Sequence, residues 1–338
     1  LLTSRDDAKL TLQKTGHGEI VEAPAGEWYL AHLAARPLKT NAGQNLASPD
    51  KTASAQAHAG DRCVLGRETC LQRVEWRDGW LRLASGGTKP QETVDIPVGR
   101  QVLECASPLA LSGEPTRNES GRGLPQSKTL SRDSHDHFDS PTLDLRWSSL
   151  RQPADESWLS LTERPGWLRL RGGDSPFSPF RQSLLARRVQ HFQFVAETCL
   201  EFSPMHFTQM AGLICYYDTR QHFYLRVTHD EKLGKVLGVV LTDDGAYDEL
   251  TDSQIAINDW KQVFLRAAVD GEKLQFSASP DGKAWQNIGP VLDFSKLSDD
   301  YGSTLRFTGT MVGLCGQDVG GTNANADFDY FDYQTTNS

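Results

Sequence analysis

Thr69-Cys70-Leu71-Gln72-Arg73-Val74-Glu75-Trp76-Arg77-Asp78-Gly79-Trp80-Leu81-Arg82-Leu83-Ala84 is the stretch that decides the fold. Asp-Gly between two strand-like runs is a strong short-range hairpin signal. In the first run Cys70, Gln72, Val74 and Trp76 share one face, and Arg73, Glu75 and Arg77 share the other. A period of two belongs to a strand. Upstream, 19–23 and 27–34 form a second pair of apolar-rich runs around Pro24-Ala25-Gly26, a turn sequence. From His137 onward, strand-like runs recur at 158–162, 167–170, 192–202, 210–217, 223–228, 236–242, 263–269, 274–278, 311–315 and 326–333. Arg164-Pro165-Gly166 and Asp270-Gly271 punctuate them. Helical periodicity is almost absent. The chain is therefore expected to be all-β, with a β-sandwich in its C-terminal part.

The first two hairpins pose a different problem. An isolated hairpin is marginal in water, so something must complete them. Either they pack on the sandwich, or they end a larger sheet repeat such as a propeller with four-stranded blades. The division expected is 1–100 for this part, 101–132 for a linker and 133–338 for the sandwich. Pro90, Pro97, Pro108, Pro115 and Pro125 punctuate the approach to the linker and the linker itself. The polar, small-residue stretch 39–59 reads as a long loop. Asn118-Glu119-Ser120 is a glycosylation acceptor pattern, relevant only in a secreted protein.

Composition narrows the function. Of 338 residues, 38% are hydrophobic and 23% charged, which suits globular cores and not disorder. The net charge of −9, with no clustering of Lys and Arg, argues against a nucleic-acid partner. No apolar run is long enough to span a bilayer as a helix, so no membrane partner is expected. Cys63, Cys70, Cys105, Cys199, Cys215 and Cys315 include no CxxC pair and read as scattered thiols. The chain opens Leu1-Leu2-Thr3-Ser4, without an initiating Met, and reads as a fragment or a processed product. A cytoplasmic protein is favoured over a secreted one.

Among groups that could carry chemistry, Glu19 and Glu68 stand at strand starts beside Gly16-His17-Gly18 and Gly66-Arg67. Glu22, Glu27 and Glu75 read as solvent-facing strand charges. His17 lies between two glycines, which allow close backbone approach. It could contact a substrate, or be a buried turn histidine. Arg67 could fork onto sugar hydroxyls, or pair with Glu68. No GxSxG, HExxH, P-loop or dinucleotide fingerprint is present.

These residues resemble a known family. Gly16-His17-Gly18-Glu19-Ile20-Val21, Glu27-Trp28-Tyr29-Leu30-Ala31-His32-Leu33, Arg36-Pro37 and Leu65-Gly66-Arg67-Glu68-Thr69 are similar to the last part of the catalytic propeller in family 43 of the glycoside hydrolases. Phe138-Asp139-Ser140, Ser183-Leu184-Leu185-Ala186-Arg187-Arg188, Phe307-Thr308-Gly309 and Ala326-Asp327-Phe328-Asp329-Tyr330-Phe331 resemble the concanavalin-like sandwich appended to its β-xylosidases.

The resemblance implies the end of a five-bladed β-propeller followed by that sandwich. It implies an inverting exo-glycosidase acting on terminal β-1,4-linked xylose of xylo-oligosaccharides, with α-L-arabinofuranosides as a second substrate class. The Asp/Asp/Glu set would lie upstream of the histidine motif, in an N-terminal remainder of the same enzyme, so no catalytic carboxylate is assigned within 1–338. Arg67 and His17 would serve the substrate site, and Phe307 would wall it. Asp136, Asp139 and Asp327 would hold a structural calcium, since hard cations take oxygen ligands. No organic cofactor is implied, and a homo-oligomer is. The competing expectation is a non-catalytic carbohydrate-binding or structural sandwich.

Overall fold

Asp78 and Gly79 both adopt left-handed backbone, with φ of 52° and 75°. A two-residue type I′ turn requires that pair, and Arg77 faces Trp80 across it. The computed structural model describes residues 1–4, 7–23, 26–38, 62–95, 135–304, 306–322 and 324–336. Among these, regular structure is strand apart from short 3-10 turns. Contacts group the described parts of Leu1–Arg36 with those of Arg67–Asp133, and Pro37–Gly66 with Ser134–Ser338.

The first unit is a four-stranded antiparallel meander, β1 (Gln13–Glu22), β2 (Trp28–Ala35), β3 (Glu68–Arg77) and β4 (Trp80–Leu83), in the order β1-β2-β3-β4. The two hairpins are one sheet, because β2 pairs with β3 from Trp28↔Val74 to Ala34↔Glu68. That is the strand count and order of a propeller blade. Leu30, Val74 and Leu83 are its buried cluster. Gln72 is buried as its alternation requires, and its amide exchanges two hydrogen bonds with the Gln91 backbone, at 2.8 and 2.9 Å. Trp76, expected on the same face, is 53% exposed. Pro24 and Ala25 of the expected turn lie outside the described residues, as do 39–59 and the expected linker.

The second unit is a two-sheet sandwich. Its strands are β5 (Ser148–Ser149), β6 (Leu159–Ser160), β7 (Leu168–Arg171), β8 (Ser183–Arg188), β9 (Gln193–Glu201), β10 (Gln209–Asp218), β11 (Gln221–Asp230), β12 (Gly234–Asp243), β13 (Ala246–Glu249), β14 (Ile255–Ala256), β15 (Val263–Asp270), β16 (Lys273–Ser279), β17 (Gln286–Asp293), β18 (Met311–Asp318) and β19 (Asn325–Thr335). One sheet runs β13-β12-β11-β10-β18-β8-β5, with β14 also on β12; the other runs β17-β16-β15-β9-β19-β7-β6. In β15, Val263, Leu265, Ala267 and Val269 point into the core and alternate with half-buried Phe264, Arg266 and Ala268. β10, β11 and β12 are buried on both faces along most of their length, β10 and β12 with mainly apolar residues and β11 with Gln221, His222, Arg226 and Thr228 among its buried side chains. Their inner residues join the main core, while Ile214, Tyr224 and Val240 join a second cluster.

The expected boundary at residue 100 lies outside the described residues, while a segment within 1–100 groups with the sandwich. Arg62 to Gly66 belong by contact to the sandwich unit. Val64 and Leu65 are buried in its main core, and Thr310 N donates to Val64 O at 2.8 Å. Apolar burial outweighs sequence proximity to the hairpins. The start and the end of the sandwich meet: Asp136 and Phe331 exchange backbone hydrogen bonds at 2.8 and 2.9 Å.

Candidate functional site

β1 is the irregular strand of the first unit. Its pairing with β2 slips between Gln13 and Gly16, and again between Gly16 and Glu19. Lys14 and His17 hold left-handed φ of 53° and 48°. Bulges re-aim side chains, and non-glycine residues in this region are strained. His17 is exposed, not buried in a turn. Gly18 is fixed by packing: a Cβ there would stand 2.7 Å from Leu30 Cδ1 and 3.3 Å from Ala31 O.

Arg67 reaches this bulge. Its Nη1 donates to Lys14 O at 2.7 Å, tying the entry of β3 to the left-handed turn of β1. The structure thus brings Arg67 to the Gly16-His17-Gly18 strand. Glu68 does not pair with Arg67. It accepts two hydrogen bonds from Arg36, 2.7 Å from Nε and 2.8 Å from Nη2, a bidentate fork. That fork raises the Arg36 guanidinium above its ordinary range. Glu19 lies within β1 and is exposed, one of several open positions there, not a strand start. Glu27 pairs with Arg73 at 3.4 Å, Glu75 with Arg77, and Asp7 with Lys89 at 2.5 Å.

His32, quoted only within a motif, is the residue the sequence reading passed over. It is 2% exposed on the apolar side of β2, next to Gly18. Its Nδ1 lies 3.1 Å from Leu33 O, and burial holds the ring below the usual histidine range. The available signal was a histidine at an inward position between Leu30 and Ala34.

In the sandwich unit, Phe307 is 49% exposed, so it is not a core aromatic. Two of the three aspartates assigned to calcium are built into other contacts. Asp136 Oδ2 accepts from Trp147 Nε1 at 2.7 Å and from Arg187 Nη2 at 3.0 Å. Arg187 lies over the Trp147 ring at 4.3 Å, and burial pushes its guanidinium down to about 10. Asp327 takes a two-bond fork from Arg169, at 2.7 and 2.8 Å, and a third bond from Arg164 at 3.0 Å. Asp139 is exposed. Arginines occupy the places a cation would take at Asp136 and Asp327, so these two carboxylates do not fit a calcium ion. Among the described residues no group of three or more His, Cys, Asp or Glu side chains could hold a metal. None of the described cysteines is in a disulfide, and four of them are buried.

Comparison with known proteins accounts for this arrangement. Residues 135–334 match the family described as beta xylosidase C-terminal concanavalin A-like domain. Residues 1–81 match glycosyl hydrolases family 43. The crystal structure of a xylan beta-1,4-xylosidase from Bacillus halodurans C-125 superposes with a TM-score of 0.80 at 42% identity, covering 99% of this chain and 56% of that one. A beta-xylosidase of Bacillus subtilis (strain 168) is 36% identical over 99% of this chain and 56% of its own length. A xylan 1,3-beta-xylosidase of a Vibrio species is 35% identical over 98% and 56%. The chain thus spans about half the length of the curated relatives it matches. By its sandwich this chain belongs to the family of the beta xylosidase C-terminal concanavalin A-like domain, carried behind a stretch of glycoside hydrolase family 43.

Proposed function

We propose that the chain forms the C-terminal portion of an inverting exo-glycosidase that releases terminal β-1,4-linked xylose from xylo-oligosaccharides, with α-L-arabinofuranosides as a second substrate class. The observation that carries this is Arg67, anchored at one nitrogen to the bulged β1 strand. A planar guanidinium held in place offers a preorganised fork to a pair of sugar hydroxyls. His17, lifted outward by its left-handed backbone, stands on the same strand. Phe307 supplies an exposed ring of the kind that packs on a sugar face.

Inversion needs a general acid and a general base about 6.5–9.5 Å apart, with a water between. Glu68, Glu27, Glu75 and Asp7 are each engaged by a cationic side chain. A carboxyl forked to a guanidinium is a poor proton donor, since the acid must be kept protonated by its surroundings. This supports acid and base supplied from outside residues 1–338, by an N-terminal remainder of the same enzyme. A homo-oligomer remains part of the proposal on family grounds.

The test is release of nitrophenol from 4-nitrophenyl β-xyloside. The 338-residue chain alone should give no turnover. Adding the N-terminal part of the Bacillus subtilis relative should restore it. Turnover by the chain alone would move the acid and base inside it, with Glu19 the first residue to replace. No turnover in either case would remove the glycosidase reading.

A further inference from the structure

Arg226, in β11, has no exposed surface, yet its Nε and Nη1 meet no hydrogen-bond partner among the described residues. Those two nitrogens carry three of the five N–H groups of a guanidinium. Buried donors left unmet are costly. The remaining nitrogen is engaged: Nη2 donates to Glu249 Oε2 at 2.8 Å.

The sequence makes room around this side chain. Arg226 lies opposite Gly212 of β10 and opposite Gly238 of β12, so neither flanking strand sets a side chain beside it. A Cβ on Gly238 would stand 3.2 Å from Arg226 Nη1 and 2.7 Å from Gln254 Cγ, so both groups lie over that glycine. Aromatic rings stand close by on the same face. Tyr247 is 49% exposed and donates its hydroxyl to Glu249 Oε1. The Phe177 ring meets Tyr247 at 5.6 Å. All of these residues belong to the sandwich unit.

The chemistry of the unmet groups names a ligand class. Glu249 already balances the charge of Arg226, so what is unmet is donors and not charge. An anion drawn to the guanidinium would also face the carboxylate. A neutral hydroxyl can accept from Arg226 and donate to Glu249 at once. Several hydroxyls on a ring with apolar faces describe a saccharide, and Tyr247 and Phe177 offer rings to such a face.

We propose that this face of the sandwich binds a neutral saccharide, with Arg226 donating to its hydroxyls, Glu249 accepting from them, and Tyr247 and Phe177 packing on the ring. The ligand enters by turning Tyr247 and Gln254 aside. Both stand on the edge segment 246–254, where Tyr247 is exposed and Gln254 half-buried. The site does not rest on the glycosidase reading; only the choice of a xylo-oligosaccharide as first probe does.

The test uses the full 338-residue chain, with xylotriose, maltotriose and inorganic phosphate as separate probes. Amide hydrogen exchange over 224–228, 236–240 and 246–254 reads binding at this place. Xylotriose should protect these segments in the parent. Arg226→Met replaces the buried ion by an apolar chain of similar length, and should weaken that binding about tenfold or more. Tyr247→Ala changes an exposed residue and should weaken it too, which keeps the test alive should Arg226→Met fail to fold. Arg67→Ala should leave the protection of these segments unchanged.

Protection by phosphate alone would make this an anion site and overturn the proposal. No protection by either sugar would assign the Arg226 donors to buried water, with the same result. Equal affinity in the parent and in Arg226→Met would overturn it as well. Protection by maltotriose and not by xylotriose would support the saccharide site and count against the xylose reading above.

Discussion

In the sandwich, β10, β11 and β12 are buried on both faces; in the four-stranded sheet, Ile20, Val21, Trp76 and Trp80 are 41%, 51%, 53% and 70% exposed. Both regions use the alternation of a strand. The sandwich turns it into one continuous core from Val64 to Phe331, with a second cluster behind one sheet. The sheet gathers only Leu30, Val74 and Leu83. Its backbone is also the more strained, with Lys14 and His17 left-handed within a single strand. Stability therefore resides in the sandwich, and the residues proposed for the xyloside substrate sit largely on the sheet.

Replacements in the two cores should break this comparison first, if it is wrong. Phe276 is fully buried in the sandwich, and Phe276→Ala should cost about 3–5 kcal/mol in urea unfolding. Leu83→Ala in the sheet should cost about 2 kcal/mol, the low end for such a change, because few neighbours surround it. Equal costs would mean the sheet shares the sandwich's cooperative core.

Asp136→Ala is next. It leaves Arg187, whose side chain is 6% exposed, without its carboxylate, and should destabilise the sandwich by about 3 kcal/mol. Added calcium should not recover the loss, and a chelator should leave the parent's melting temperature unchanged. A calcium-dependent shift traced to Asp136 or Asp327 would contradict the arginine assignments.

Titration gives a third test. His222 is buried between Asp218 O, at 3.2 Å from Nδ1, and Thr242 Oγ1, at 3.0 Å from Nε2. Burial pushes its ring down to about 4. The folded state then resists protonation that the unfolded chain accepts near its ordinary value of about 6.5. Its contribution is present above pH 6.5 and is lost as pH falls from there toward 4, by about 3 kcal/mol in all. His222→Gln should flatten that slope, as read by thermal melts across pH. The smallest effect should come from the sheet's Arg36–Glu68 fork, whose side chains are each 28% exposed. Arg36→Met should cost about 1 kcal/mol or less, weakened further by salt.

Much of this architecture was legible in the chain. Asp78-Gly79 announced its hairpin because few residues tolerate two successive positive φ values. Arg164-Pro165-Gly166 announced a turn closed by Trp167 N on Arg164 O at 3.0 Å, with Gly166 at φ +77°. β17 was not legible, because Gly289 and Pro290 interrupt it and its exposed residues carry no period; proline fits there at the sheet's edge. β13, four residues at the edge of the other sheet, is too short and polar to show a period.

At the candidate site, Arg67 and His17 stood out by their glycine neighbours. The Arg36–Glu68 fork did not, since its partners are 32 residues apart. Nor did the fate of Asp136 and Asp327. An aspartate looks the same in sequence whether an ion or an arginine will face it, and only the pairing of β7 with β19 brings Arg169 to Asp327.

The measurement that bears most directly on the account is kcat/KM of Arg67→Ala for 4-nitrophenyl β-xyloside in the complemented enzyme, taken beside its urea unfolding curve. A loss of about a hundredfold or more, with the sandwich transition unmoved, is the expected result. Activity retained at the parent's level would contradict the assignment of xyloside recognition to the sheet.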